Sequence, residues 1–441
     1  MEDGQEGREE VLPQEARRTL EDIGGADILV GIPALDSAET IGRVITAVEA
    51  GLRKHFSGLD CVICISDGGS TDGTLEAARR AGVGEDTAAL LVPPATPVPR
   101  TVGFRYRGTS GKGTAFRAIV EAASLLGVRA CAVVDSDLRS ITPAWLDRLL
   151  TPVVHHGFEY VAPVYARHKY DGTITNALAY PVTTALYGVR IRQPIGGEFG
   201  FSGGLTRALA AEDLGGGDVA RFGVDIWLTT VALVRGVRTC QAILGAKIHD
   251  PKDPGALGPM FRQVVGSLFA LAGRYRSRWW EVEEVATPPT FGFRATYAAE
   301  PIEVSMHRLI WKFVDGYVRH QHLWREVLSE GSMAGLEEAV AGAAADARGL
   351  VIEPALWFRI VYDYLVAFNA RPADGGVLLE SLIPLYFGRT ATFVEAARDD
   401  SDEEAEARVE AGVDLAVELK PYLRERWSRA VPREEPAGRR T

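Results

Sequence analysis

The sequence predicts an α/β protein, with a parallel sheet covered on both faces by helices and a helical C-terminal domain behind it. Three observations carry this. Short β-branched runs alternate with helical periodicity from Asp27 to about Leu150. Beyond Thr287-Pro288-Pro289 the strand signal nearly vanishes and only helical patterns follow. The composition, 46% hydrophobic and 24% charged over 441 residues, suits a globular chain of two or three domains.

In chain order, residues 1–24 are charged and poor in large apolar side chains, so they read as a flexible arm. Asp27–Ile32, Cys61–Ser66 and Ala130–Val134 read as buried strands, because a strand covered on both faces needs a near-continuous apolar run. Ala38–Leu52, Asp72–Ala81 and Lys112–Leu126 carry helical periodicity and open after Gly, Ser or Thr. Tyr160–Tyr165 reads as a further strand, Ile174–Tyr187 and Asp225–Arg235 as helices, and the Gly- and Pro-rich Lys252–Pro259 as a loop or lid. Helical patterns then run over 301–330, 336–347, 354–369, 376–387 and 405–427. The predicted domains are therefore an α/β domain over 25–285, a helical domain over 286–428 and a flexible tail over 429–441. The acidic run 399–404 reads as a solvated turn.

Lys and Arg number 48 against 59 Asp and Glu, a net charge of −11. That argues against nucleic acid as a partner, since such binding rests on a basic surface. It leaves room for an anionic small molecule held in one cationic pocket. Cys61 and Cys64 form a CxxC, but they sit inside an apolar strand run with no second CxxC, so they read as buried strand thiols. The N-terminus lacks the basic-then-apolar pattern of a signal peptide, and the apolar stretches near Val161 and 226–237 are interrupted. The expectation is a cytoplasmic protein without stable membrane insertion. A homodimer through the helical domain is the candidate assembly.

Three segments carry chemistry. Ile65-Ser66-Asp67-Gly68-Gly69-Ser70-Thr71-Asp72-Gly73-Thr74 ends a strand, turns on glycines and opens a capped helix. Asp67 reads either as the lock of that turn or as a hydrogen-bond acceptor for a base or ribose. Val133-Val134-Asp135-Ser136-Asp137 places two carboxylates after another buried strand, i and i+2 sharing a face. Two like charges there need a cation or donors, and Mg2+ or Mn2+ bridging to phosphate oxygens is the usual compensation. Gly111-Lys112-Gly113-Thr114 enters a helix but lacks the upstream glycine of a P-loop, so a phosphate or sugar contact by Lys112 remains and NTPase chemistry is set aside.

Together these residues resemble the GT-A fold, the Rossmann-like nucleotide-diphospho-sugar transferase domain. Ile32-Pro33-Ala34-Leu35 with Glu39-Thr40-Ile41 resembles its opening strand and nucleotide loop, and 67–74 its DDGSTDGT turn, with Gly68 in place of the second Asp. Downstream, Gln193-Pro194-Ile195-Gly196-Gly197-Glu198-Phe199, Phe222-Gly223-Val224-Asp225 and Lys247-Ile248-His249-Asp250 are similar to a narrower group. These are the retaining synthases that make mannosylglycerate, glucosylglycerate and glucosyl-3-phosphoglycerate.

The resemblance implies a hexosyltransferase using a UDP- or GDP-hexose as donor, with Mg2+ or Mn2+ as cofactor. Pro33, Leu35, Asp67, Lys112, Asp135 and Ser136 would line the nucleotide, and Asp137 with His249 would hold the metal, Asp135 close by. Glu198 and Asp225 would be the catalytic sugar and acceptor carboxylates. The phosphoglycerate enzymes carry a Gly-Arg pair where this chain has Gly172-Thr173, whereas Arg167 and Thr175 match the glycerate-binding positions of the mannosylglycerate enzymes. The expected acceptor is a small hydroxy acid such as D-glycerate. A phosphorylated acceptor, with Arg167 or His168-Lys169 holding the phosphate, and an inverting family-2-like transferase acting on a glycan or lipid-linked acceptor are the alternatives.

Overall fold

The computed structural model describes residues 11–82, 98–108, 111–212, 223–248, 254–293, 302–346 and 349–431. They form two compact units, built from segments that interleave in sequence. The first draws on Met1–Ala166, Ile191–Asp250 and Pro288–Glu300, the second on Arg167–Arg190, Pro251–Thr287 and Pro301–Thr441. A single cut at 286 therefore does not separate them, because two earlier excursions of the chain join the helical unit.

In chain order the elements begin α1 (Gln14–Ile23), β1 (Ile28–Ala34), α2 (Ile41–His55), β2 (Cys61–Asp67), α3 (Thr74–Gly82), β3 (Arg100–Arg105), α4 (Lys112–Leu125), β4 (Ala130–Val133), α5 (Pro143–His156) and β5 (Tyr160–Ala166). The chain then passes through α6 (Tyr180–Tyr187) of the second unit and returns as β6 (Phe199–Ser202), α7 (Gly203–Ala211), α8 (Val224–Val234) and β7 (Thr239–Ala246). After α9 (Gly258–Arg274) and α10 (Arg276–Trp279), a short strand, β8 (Thr290–Phe291), completes the first unit.

Among the described residues the eight strands form one sheet, in the order β3-β2-β1-β4-β6-β5-β7-β8. Only β6 runs antiparallel, pairing with β4 and β5. β1 keeps register with β2 from Ile28 opposite Cys61 to Ala34 opposite Asp67, and with β4 on its other side. The strand order turns back at β1, so the crevice over the carboxyl ends of β1 and β4 is the topological switch point where such sheets bind ligands. Because β6 is antiparallel, the residue that precedes it arrives at that same edge.

One face of β1, through Ile28, Val30 and Ile32, packs with Ile45 and Val48 of α2 and with Trp145 and Leu149 of α5. On the other face α4 approaches so closely that a Cβ on Gly31 would meet Ile119 Cγ2 at 2.3 Å. Cys61, Cys64, Cys131 and Cys240 are all free and buried, and burial pushes the Cys61 and Cys64 thiols up to about 12. The flexible-arm reading needs correction at its C-terminal half. Leu12, Ala16 and Leu20 are buried, α1 packs on α4 and β3, and the Val11 carbonyl accepts the Arg107 N–H at 2.9 Å. A narrow apolar stripe on a mostly charged helix suffices for that docking. Residues 1–10 lie outside the described residues.

The second unit continues through α11 (Met306–Val327), α12 (Glu330–Ala345), α13 (Pro354–Ala370), α14 (Gly375–Ala396), α15 (Asp402–Glu418) and α16 (Lys420–Ala430). The pattern over 405–427 is two helices rather than one, broken at Leu419 with Pro421 in the first turn of α16. Ser401 and Glu404 form a capping box on α15, so the acidic run lies at a helix N-terminus, where negative charge is favourable. Among the described residues one helical stretch, Pro372–Ala396, is long and apolar enough to cross a membrane, yet 72% of its apolar window is buried. It packs on α11 and α13 as a core helix. The lid reading is described only from Pro254, where a 3-10 turn over Pro254–Ala256 leads into α9.

Candidate active site

The loops after β1 and β2 are stitched together at the sheet edge. Asp36, at φ 45°, accepts the Thr71 N–H at 2.9 Å, and its own N–H donates to Ser70 Oγ at 2.9 Å. Asp67 is completely buried and accepts the N–H groups of Gly69 (3.0 Å) and Ser70 (3.1 Å), with Arg105 Nε at 3.4 Å. Of its two sequence readings, this geometry is that of the turn lock. A Cβ at Gly68 would lie 3.1 Å from the Tyr106 hydroxyl and 3.3 Å from Leu35 Cδ1, so this packing leaves little room for the Asp of the related pattern. Pro33 is buried in β1, whereas Leu35 presents a side chain 53% exposed at the loop. Ser136 is buried, and its carbonyl accepts the Thr40 hydroxyl at 2.8 Å.

At the switch point three carboxylates and two ammonium groups converge. Lys112, at the first turn of α4, lies 2.8 Å from Asp135 Oδ1 and 3.1 Å from Asp225 Oδ2. Lys247, immediately after β7, lies 3.1 Å from Asp135 Oδ2 and donates to Glu198 Oε1 and Oε2 at 2.9 Å and to the Gly196 carbonyl at 2.8 Å. Glu198 immediately precedes β6, whose Phe199 pairs with Val133, and this brings it beside Asp135. The Tyr165 hydroxyl donates to Glu198 Oε2 as well. The Gln193–Glu198 loop is anchored from beneath, since Thr229 donates to the Pro194 carbonyl at 2.7 Å and shares a hydrogen bond with Tyr160.

Fully ionised, this cluster would carry one excess negative charge in a buried place, so one proton is retained near neutrality. Burial acts on Asp135, but Lys112 and Lys247 outweigh it and hold the carboxyl well below its usual range. Burial pushes Glu198 up to about 8 against the pull of Lys247, and raises Asp225 against Lys112. Lys112 stays protonated because Asp135 and Asp225 together outweigh its own desolvation. Glu198 is wholly buried with both oxygens on Lys247. Asp225, in the first turn of α8, retains some exposure.

Each Asp135 oxygen faces a lysine, which disfavours it as a direct metal ligand. Asp137 is exposed at the same edge. His249 lies outside the described residues, but its neighbour Ile248 is fixed: its N–H donates to Ser140 Oγ at 2.9 Å and its carbonyl accepts the Arg139 N–H at 3.0 Å. That brings the chain before His249 within three residues of Asp137. One carboxylate and one imidazole beside an anionic ligand fit a hard divalent ion, which usually shares its shell with phosphate oxygens. Among the described residues no three side chains form a metal cage.

Of the acceptor positions read from sequence, Arg167 and Thr175 belong to the second unit and Asp225 to the first. Arg167 Nη1 lies 3.3 Å from Asp171 Oδ2, and Thr175 is buried at the start of a π-helical turn, Thr175–Ala179. Lys169 donates to the carbonyls of Ala397, Arg398 and Asp400 at 2.6–2.8 Å, capping the end of α14. That engagement counts against Lys169 as a phosphate ligand. Tyr165 is a residue that sequence reasoning passed over, and Lys247 entered it only as the first residue of the 247–250 motif, with no role assigned; both stand at strand carboxyl ends.

The sheet order, its single antiparallel strand and the charged cluster at the switch point define the class: a glycosyltransferase of the GT-A fold. Within that class the chain is similar to glucosyl-3-phosphoglycerate synthases. It is 28% identical over 269 residues to the protein of Mycolicibacterium smegmatis, covering 56% of this chain and 78% of that one. It is 27% identical over 267 residues to that of Mycolicibacterium paratuberculosis, covering 56% and 73%. A crystal structure of the Mycobacterium tuberculosis glucosyl-3-phosphoglycerate synthase with Mn2+, UDP-glucose and phosphoglyceric acid aligns with a TM-score of 0.44 at 25% identity, over 59% of this chain and 84% of that one. No protein-family model matches the chain.

Proposed function

We propose that this protein is a retaining glycosyltransferase that moves a hexose from a nucleotide diphosphate sugar to a small hydroxy acid such as D-glycerate, with Mg2+ or Mn2+ as cofactor. The observation that carries the reading is the convergence of Lys112, Asp135, Glu198, Asp225 and Lys247 on the carboxyl edge of a GT-A sheet. Leu35, exposed at the loop after β1, would offer an apolar platform for the base, and Asp135 would face the ribose. Asp137 and His249 would hold the ion, which when bound neutralises charge on the departing diphosphate. Asp225 is the carboxylate closest to hand for the sugar or acceptor, with Lys112 fixing its direction. Glu198 acts on the reacting centre through Lys247 and Asp135.

A phosphorylated acceptor is the second reading, favoured by the names of both curated relatives. Against it, Thr173 stands at the Gly-Arg position, its hydroxyl bonded to the Tyr386 hydroxyl at 2.6 Å, and Lys169 is held by three carbonyls. Nothing favours the inverting family-2-like reading, whose second turn Asp is Gly68 here. The four free buried thiols support a reducing, cytoplasmic setting. Assembly as a homodimer is checked by sedimentation.

Two measurements test the proposal. UDP or GDP with Mg2+ or Mn2+ should raise the melting temperature, and no shift with either nucleotide would remove the donor assignment. A donor-by-acceptor screen with D-glycerate, 3-phosphoglycerate and D-lactate should show transfer to D-glycerate. Transfer to 3-phosphoglycerate alone would replace the first acceptor reading with the second.

A further inference from the structure

The helical unit contains a cavity lined by polar and apolar side chains from four elements: Thr173 and Asn176 at the π-helical turn, Phe358 of α13, Arg389 and Phe393 of α14, and Arg408 of α15. Two of its lining residues are arginines and none is acidic. Arg408 is already paired, its guanidinium lying on the Asp400 carboxylate. Arg389 is different. Among the described residues its one hydrogen bond runs from Nη1 to the Ile352 carbonyl at 3.3 Å, and no carboxylate lies within 4 Å of it. Burial pulls its pKa down to about 10, opposed only by the more distant Glu353. A guanidinium presents five donors in a fixed fork, and only one of them is engaged among the described residues where Arg389 lines the cavity.

An uncompensated buried cation costs stability, and a helical core could have filled the position with an apolar side chain more favourably. The dimensions indicate what the charge is for. The space open to water-sized groups is about 30 Å3, enough for about two waters or the two oxygens of one carboxylate, and the rest of the pocket opens outward between largely apolar walls. Planar carboxylates and phosphates match a guanidinium bidentately. We propose that this cavity is a binding pocket for a small organic acid, its carboxylate or phosphate seated on Arg389. The pocket is lined by residues of the helical unit, Thr173 of the acceptor segment among them, and needs neither nucleotide nor divalent ion to bind its ligand.

The experiment titrates the full-length protein, without nucleotide or divalent ion and at constant ionic strength, with D-glycerate, 3-phosphoglycerate or inorganic phosphate. Melting temperature and calorimetric heat are followed. At least one of the three should bind saturably. An organic acid binding while phosphate does not assigns a metabolite pocket, and phosphate binding equally well assigns a simple oxyanion pocket. Arg389→Met should abolish that binding, raise the melting temperature of the ligand-free protein and leave the UDP–Mn2+ shift unchanged. Arg389→Lys keeps the charge without the fork and should weaken binding at least tenfold, so a poorly folding Met variant does not stop the test. Absence of saturable binding by all three, or equal binding in wild type and variants, overturns the proposal. Failure here leaves the transferase reading intact, because no donor is present in the assay.

Discussion

Lys247 Nζ lies 2.9 Å from both carboxylate oxygens of Glu198 and 3.1 Å from Asp135 Oδ2. One ammonium therefore joins the end of β7, the start of β6 and the end of β4. Through Asp135, the contact continues to Lys112 and Asp225. A displacement of Lys247 would be felt most at Glu198, which is wholly buried, and through Asp135 at the rest of the cluster.

Lys247→Met should destabilise the protein by about 3–5 kcal/mol, the usual cost of leaving a buried charge without its partner. The cost has a pH signature. Glu198 has its carboxyl raised from the ordinary 4.5 to about 8, so at pH 6 it is already protonated and needs Lys247 less. At pH 9 it is ionised in the wild type, and the variant forces it to bind a proton. Urea unfolding should give a larger loss at pH 9 than at pH 6, and equal losses would rule out the raised carboxyl.

Gly197 has φ +94°, and a Cβ built there would meet Asp135 Oδ2 at 2.3 Å and Lys247 Nζ at 3.0 Å. Gly197→Ala therefore adds backbone strain and pushes the two charged partners apart. Strain of this kind costs about 1–3 kcal/mol. The expected result is a loss in that range with transfer activity down at least a hundredfold, measured by thermal unfolding and initial rates. A variant with near-normal turnover would show that the Asp135–Lys247 contact is dispensable.

The parts of this architecture that are local were legible from sequence. β1, β2 and β4 announce themselves as continuous apolar runs, and Asp67, Lys112 and Asp135 each follow a strand or open a helix within ten residues of its signal. What escaped is non-local. β6 is four residues, Phe199–Ser202, with a glycine among them, and it is a strand because β4 and β5 flank it. β3, Arg100–Arg105, is a half-exposed edge rich in arginine. Lys247 gains its meaning only when β7 is set beside β5, far away in sequence. The same applies to 167–190, whose motif residues were legible but whose membership of the helical unit was not. His249, half of the expected metal pair, lies outside the described residues.

Asp137 separates structure from function cleanly. Its side chain is exposed, and exposed substitutions away from caps and pairs change stability by no more than about 0.5 kcal/mol. Asp137→Ala should therefore unfold with the wild-type midpoint while losing both turnover and the stabilisation by UDP with Mn2+. The readout is a pair of melting curves, with and without nucleotide and metal. Retention of the metal-dependent shift would remove Asp137 from the ion's ligands.

Lys420 is 4% exposed at the start of α16, where Nζ donates to the Val282 carbonyl at 2.7 Å and the Leu186 carbonyl at 3.3 Å. Burial pulls its pKa from the ordinary 10.5 down to about 8, with Arg424 adding to the effect and Glu283 opposing it. The folded state therefore releases this proton at a lower pH than the unfolded chain. Between pH 8 and 10.5 the unfolded state binds more protons, so this group makes stability rise with pH, and below pH 8 the full penalty of the buried charge is present. The ceiling is about 3 kcal/mol at 1.36 kcal/mol per pKa unit. Lys420→Met lacks the titrating group. The wild type should gain on it steadily from pH 7.5 to pH 10 in paired urea titrations, and a stability difference that stays flat across that interval would mean the amine keeps an ordinary pKa.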